Sequence, residues 1–133
     1  MSLLPGAGAG LSLALVMAGG AVGAALRWLV GQALLRQMQN GFPWATLAVN
    51  LVGAFAAGWL LVRLEGHAHA SILRPLLVVG LLGGLTTFSS LMVEVLVLGR
   101  GPLPMLSMLY LGLSMAGGLL LTWLGMQLGL MLR

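Results

Sequence analysis

Apolar residues run along this chain in four long blocks, separated by short stretches of polar punctuation. The first covers residues 11–35, "LSLALVMAGGAVGAALRWLVGQALL", and the second covers 44–62, "WATLAVNLVGAFAAGWLLV". The third covers 75–98 and the fourth 104–130. A helix needs about 20 mostly apolar residues to cross the hydrocarbon of a bilayer. The pattern therefore predicts an all-α protein of four transmembrane helices. The connections are brief: "RQMQNGFP" with an Asn-Gly turn signal, then "RLEGHAHASILR", then "GRGPLP". Pro75 and Pro104 each suit the first turn of a helix, where a missing N–H costs nothing. Trp28, Trp44, Trp59 and Trp123 fall toward span ends, as interfacial aromatic residues do. Nothing marks a second domain, and residues 1–133 read as one transmembrane unit.

Composition agrees with the pattern. Of 133 residues, 60% are hydrophobic and 6% charged, whereas a soluble domain carries about a quarter charged residues. Cysteine is absent, which excludes disulfides and thiolate metal sites. The six basic residues are all arginines and are scattered, so no nucleic-acid patch is built. No basic residue precedes the first apolar block, and that block reads as a retained span rather than a signal peptide.

Orientation is balanced. Arg63, Arg74 and Arg133 fall on one face of the membrane, while Arg36, Arg100 and Arg27 fall on or near the other. Positive charge favours neither side, which permits insertion both ways and an antiparallel dimer of identical chains.

Polar groups inside the spans need partners, cavities or water. Asn50 shares a helical face with Thr46, four residues earlier, and the small pair Gly53 and Ala57 invites another backbone close by. Its amide suits either an interhelical bond or a pore where N–H groups meet an anion. Arg27 lies about 10 Å from its span end, where it either snorkels outward or sets a positive potential at a vestibule. Glu94 is the lone acid within a span, near its end, and keeps a proton-coupled exporter in view. His67 and His69 lie in one connection without the further ligands a metal site needs.

The third block contains "GLLGGLTTFSSL", residues 80–91. Gly83 and Gly84 weaken the helix, and two threonines come soon after, Thr86 and Thr87. Non-helical backbone at membrane depth is tolerated only inside protein or beside a cavity, and a broken helix frees carbonyl oxygens suited to an alkali cation. The alternative is a continuous helix whose hydroxyls bond back one turn, with Gly80 and Gly84 as a GxxxG contact. Phe88 beside Ser89 and Ser90 offers an anion a positive ring edge if turned that way, or simply packs.

The stretches "GGAVGAALRW", "TLAVNLVGAFAAG" and "GLLGGLTTFSSL" together resemble the CrcB/Fluc fluoride ion channel family, in order and over nearly the whole chain. The resemblance implies an antiparallel dual-topology homodimer in the cell inner membrane, passing fluoride passively out of the cytoplasm. It implies a third helix broken mid-membrane, with a structural Na+ at the dimer interface held by the carbonyls of Gly83 and Thr86. It assigns Asn50, Thr46, Phe88, Ser89, Ser90, Glu94, Tyr110 and Ser114 to the fluoride path, and Arg27 to its vestibule. Two positions depart from the family pattern. Leu91 stands where a second phenylalanine is usual, and Gly118 where a serine is. Restoring Phe at 91 is expected to alter rate or selectivity.

The main rival is a coupled exporter of the small multidrug-resistance type, which relies on a carboxylate in its first span; this chain has Arg27 there. A non-transporting membrane scaffold would leave Asn50 and the hydroxyl cluster unexplained. No nucleophile–base pair suggests an enzyme.

Overall fold

The computed structural model describes residues 7–35 and 41–132. Among these, all regular structure is helical, and four stretches are long and apolar enough to cross a membrane. Helix α1 is Ala7–Leu35 and α2 is Trp44–Arg63. The third span has two parts, α3 over residues 70–85 and α4 over Phe88–Gly99. The last helix, α5, is Met105–Met131. Two arginines of the orientation count, Arg36 and Arg133, lie outside the described residues. So does Asn40 of the turn signal, although Gly41 has the positive φ, 71°, that such a turn uses.

The third span starts earlier than Pro75 suggests. Its first turn forms at Ala70, whose N–H bonds to the His67 carbonyl at 3.0 Å. Pro75 therefore sits inside a helix, where its ring crowds the carbonyl four residues back. The backbone answers by widening: Arg74–Leu82 is π-helical. Pro104 does stand at a helix start, as the residue before α5.

Helix α1 packs along α3, and α2 packs along α5. Both seams are backbone-close because glycines stand at the contact, facing each other in the first and facing larger residues' backbone in the second. A Cβ on Gly19 or Gly23 would run into the backbone of Leu76 or Leu81, and one on Gly84 would lie 2.5 Å from the Gly20 carbonyl. In the other seam, a Cβ on Gly58 would strike the Thr122 carbonyl, and one on Gly125 the Phe55 carbonyl. Small residues are what helices need to associate in lipid, where apolar burial alone drives little. Gly80 and Gly84 thus form the contact face that the GxxxG alternative describes.

A compact cluster of Phe42, Leu47, Leu91, Val95 and Tyr110 ties the start of α2 to α4 and α5. Elsewhere large apolar side chains such as Leu96, Leu119 and Met131 point outward. Of the four tryptophans, Trp28, Trp44 and Trp123 are exposed, Trp44 at the start of α2 and the other two about two turns inside their helices. Trp59 is partly buried and its indole N–H lacks a partner.

Candidate functional site: a helix interruption and the polar line beyond it

Gly83 and Gly84 do not break the helix. Both are helical in α3, and the interruption falls two residues on. Thr86 (φ −85°, ψ 153°) and Thr87 (φ −150°, ψ 120°) are extended, and α4 begins at Phe88. An interrupted helix strands backbone donors and acceptors on both sides. Here neighbouring helices take them up.

Asn50 on α2 matches the backbone of Thr87 with both ends of its amide. Its Oδ1 accepts the Thr87 N–H at 2.7 Å, and its Nδ2 donates to the Thr87 carbonyl at 3.0 Å. One turn further along α2, Gly53 leaves room for the Thr86 methyl, which a Cβ there would strike. Arg27 on α1 reaches the other flank, where its Nε donates to the Gly84 carbonyl at 3.1 Å. A cation at the C-terminal end of a helix also meets the negative pole of its dipole. Thr86 bonds back to the Leu82 carbonyl through both its N–H (2.9 Å) and its hydroxyl (2.8 Å). Thr87 caps α4, its hydroxyl accepting the Ser90 N–H at 3.2 Å.

Four carbonyls, those of Gly83, Gly84, Leu85 and Thr86, lose the donors that a continuous helix would supply. Gly83 would receive the Thr87 N–H, which goes to Asn50. Thr86 would receive the Ser90 N–H, which goes to the Thr87 hydroxyl.

Beyond the break, α4 carries a row of polar groups toward its far end. A cavity of about 390 Å³ lies beside the interruption, with Asn50, Gly83, Thr86, Thr87, Phe88, Leu91 and Ser114 in its wall. A second, of about 310 Å³, is lined by Ser89, Ser90, Val93 and Glu94. A third, of about 280 Å³, has Glu94 on one side and Gly41, Pro43, Gly101 and Pro102 on the other. Glu94 therefore borders both the polar row and the loop end. Its two oxygens are occupied: Thr46 donates to Oε1 at 2.7 Å and Tyr110 to Oε2 at 2.6 Å.

The structure brings most of the sequence-predicted residues to this line and redistributes their tasks. Asn50 borders the first cavity but spends its amide on the break. Arg27 binds a carbonyl rather than standing free at a mouth. Tyr110 is wholly buried and touches the line only through its hydroxyl on Glu94. Phe88 is 67% exposed on the chain. Ser114 has a buried hydroxyl without a partner, in the wall of the first cavity. Leu91 is only 2% exposed and belongs mainly to the core cluster. His67 and His69 stay in their exposed connection. No group of three or more metal-ligating side chains forms among the described residues.

Two participants escape sequence reasoning. Phe42 stands edge-on to Tyr110, ring centroids 5.4 Å apart at 76°, and buttresses the tyrosine that holds Glu94. An aromatic residue just before Pro43-Trp44 in an otherwise polar connection is the available signal. Ser107, 3% exposed, donates to the Val95 carbonyl at 2.8 Å and fastens α5 to α4.

The family model described as "CrcB-like protein, Camphor Resistance (CrcB)" matches residues 14–126, which include the break, its partners and the whole polar line. The chain belongs to the CrcB family. A fluoride-specific ion channel FluC of Xylella fastidiosa (strain 9a5c) is 52% identical over 119 residues, 89% of this chain and 83% of that protein. Another, from Xanthomonas axonopodis pv. citri (strain 306), is 48% identical over 118 residues, 88% of this chain and 89% of its own. A third, from Agrobacterium fabrum (strain C58 / ATCC 33970), is 42% identical over 121 residues, 90% and 96%. With four apolar spans, this CrcB chain is a multi-pass membrane protein.

Proposed function

We propose that the protein is a fluoride-selective channel that lowers cytoplasmic fluoride by passive export. One observation carries the reading. A largely apolar cavity bordered by the polar groups of Asn50, Thr86, Thr87 and Ser114 adjoins an interrupted helix in a CrcB chain that is 52% identical to a fluoride-specific channel.

Fluoride is small and strongly hydrated, so a path for it must offer replacement donors without a deep trap. The first turn of α4 supplies a partial positive pole, flanked by the Ser89 and Ser90 hydroxyls and the Phe88 ring edge. The second N–H of the Asn50 amide and the Ser114 hydroxyl add donors beside the first cavity. Thr46 and Tyr110 lie further along, and Glu94, turned onto them, presents an acceptor already engaged rather than a bare charge. Arg27 contributes positive potential from the α1 side.

Finer features belong to the same proposal. The break lies at mid-membrane, and two chains pair antiparallel, as the balanced arginines permit. The carbonyls of Gly83 and Thr86, deprived of helical donors, are hard oxygen ligands that fit a structural Na+ shared between protomers. Such an ion supplies positive charge that holds the two breaks together.

The test is fluoride efflux from liposomes containing the purified protein, read with a fluoride electrode against chloride. Fast fluoride release without chloride release, lost in Asn50→Asp, is expected. Absence of fluoride release from well-reconstituted protein would sink the reading. Leu91→Phe is expected to raise neither rate nor selectivity, because a ring at a site 2% exposed overpacks the core by about 1–3 kcal/mol. A clear gain in fluoride flux would show that position 91 faces the path.

A further inference from the structure

The interruption is held open from two sides, and the bonds that hold it are specific about which carbonyls they take. Arg27 Nε occupies the Gly84 carbonyl at 3.1 Å. Asn50 Oδ1 removes the Thr87 N–H from its helical acceptor, Gly83, at 2.7 Å. Its Nδ2 pins the Thr87 carbonyl at 3.0 Å, so Thr87 cannot swing back into helical register. Gly53 admits the Thr86 methyl against α2. The outcome is that Gly83, Leu85 and Thr86 keep oxygens without helical donors, while the Gly84 carbonyl among them is taken by the guanidinium.

We infer that Arg27 and Asn50 are positioning residues for the cation site, setting which carbonyls a Na+ meets, and that this is distinct from any role in attracting or passing the anion. The inference rests on the proposal that Gly83 and Thr86 hold a structural Na+. Arg27 acts here as a donor placed at one atom, not as a remote charge. Without it, the Gly84 carbonyl would be left unbonded beside those of Gly83 and Thr86. It would then compete for the cation or draw the Phe88 N–H into register. Without Asn50, the Thr87 N–H is free to return to Gly83 and close one ligand.

A substitution pair separates donor from charge. In glutamine, Nε2 stands at the same point along the side chain as Nε of arginine, so Arg27→Gln keeps a donor where the bond is made and removes the charge. Arg27→Met has similar length and neither property. The readout is the thermal midpoint of the purified protein in detergent, titrated with NaCl against N-methylglucamine chloride at constant ionic strength. A ligand that binds only the native state raises that midpoint by mass action. Wild type is expected to show a saturable Na+ response. Arg27→Gln should keep its half-saturating Na+ within about threefold of wild type, while Arg27→Met should need at least about tenfold more, the scale of one lost hydrogen bond. Should Arg27→Met not survive purification, Asn50→Ala carries the same tenfold expectation.

Equal Na+ responses in wild type, Arg27→Gln and Arg27→Met would overturn the inference and leave the cation reading standing. So would equal losses in Gln and Met, which would make charge the operative property. A wild type with no Na+ response would remove the cation site itself, and this inference with it. Fluoride efflux on the same preparations keeps the channel reading separate from either result.

Discussion

Three spans of this protein contain a Gly-Gly pair, Gly19-Gly20 in the unbroken α1 among them, and only the third span is interrupted. Gly83-Gly84 in the third span and Gly117-Gly118 in α5 are both helical. Each has a threonine shortly after it that bonds back four residues, Thr86 to the Leu82 carbonyl at 2.8 Å and Thr122 to the Gly118 carbonyl at 2.9 Å. The two spans differ in the next residues along the chain and in the helix opposite. After Thr86 comes a second threonine that caps the next helix with its own hydroxyl, with Asn50 and Arg27 across the gap. After Thr122 come Trp123 and Leu124, and the facing helix offers Gly58, whose missing side chain admits the Thr122 carbonyl. Glycine pairs make close approach possible. The break needs donors and acceptors from other helices to satisfy the backbone it strands.

That contrast can be attacked where it is strongest. Asn50→Leu keeps volume and removes both bonds to Thr87. Each orphaned backbone group costs about 1–3 kcal/mol, so fluoride efflux is expected to fall at least about a hundredfold. Near-normal flux would mean that the interruption does not depend on Asn50. Gly84→Val comes next. Its Cβ would press on the Gly20 carbonyl at 2.5 Å, forcing α1 and α3 apart at a cost of about 1–3 kcal/mol. It should appear as a lowered melting midpoint and loss of a single peak in size-exclusion chromatography. Thr87→Val deletes the α4 cap at about 1 kcal/mol, and slowed amide exchange at Ser90 in the variant would contradict it. Smallest is Gly118→Ala. Nothing lies within 4 Å of the added Cβ, so the helix should gain up to about 1 kcal/mol with flux unchanged. Gly118 lines the first cavity, so a fall in flux would show that an ion passes close to that part of its wall.

Much of the fold is legible in the sequence. Four spans emerge from block length alone, and the oddness of "GLLGGLTTFSSL" marks the interrupted segment. The residue at which the backbone leaves the helix is not legible, because it is decided by Asn50 and Arg27, 37 and 57 residues away from their bonding partners. Periodicity describes one helix at a time and carries no such information. The same gap explains Glu94. Near a span end it looks like an uncompensated acid, and only the fold reveals that Thr46 and Tyr110 satisfy it. Pro75 misleads for a local reason, since a widened π turn lets it sit within a helix instead of starting one.

The two glycine seams also constrain how the chain is made. Each joins spans that are not neighbours in sequence, α1 with the third and α2 with the last. A nascent chain entering the bilayer can close neither seam with the span it has just finished. The glycine face of α1 waits until α3 arrives, and Gly58 meets the Thr122 carbonyl only after the last span has been synthesised that far. Assembly of the protomer is therefore a late event, gated by insertion of the final span, and a chain stopped in the α4–α5 turn would carry an open seam into the membrane.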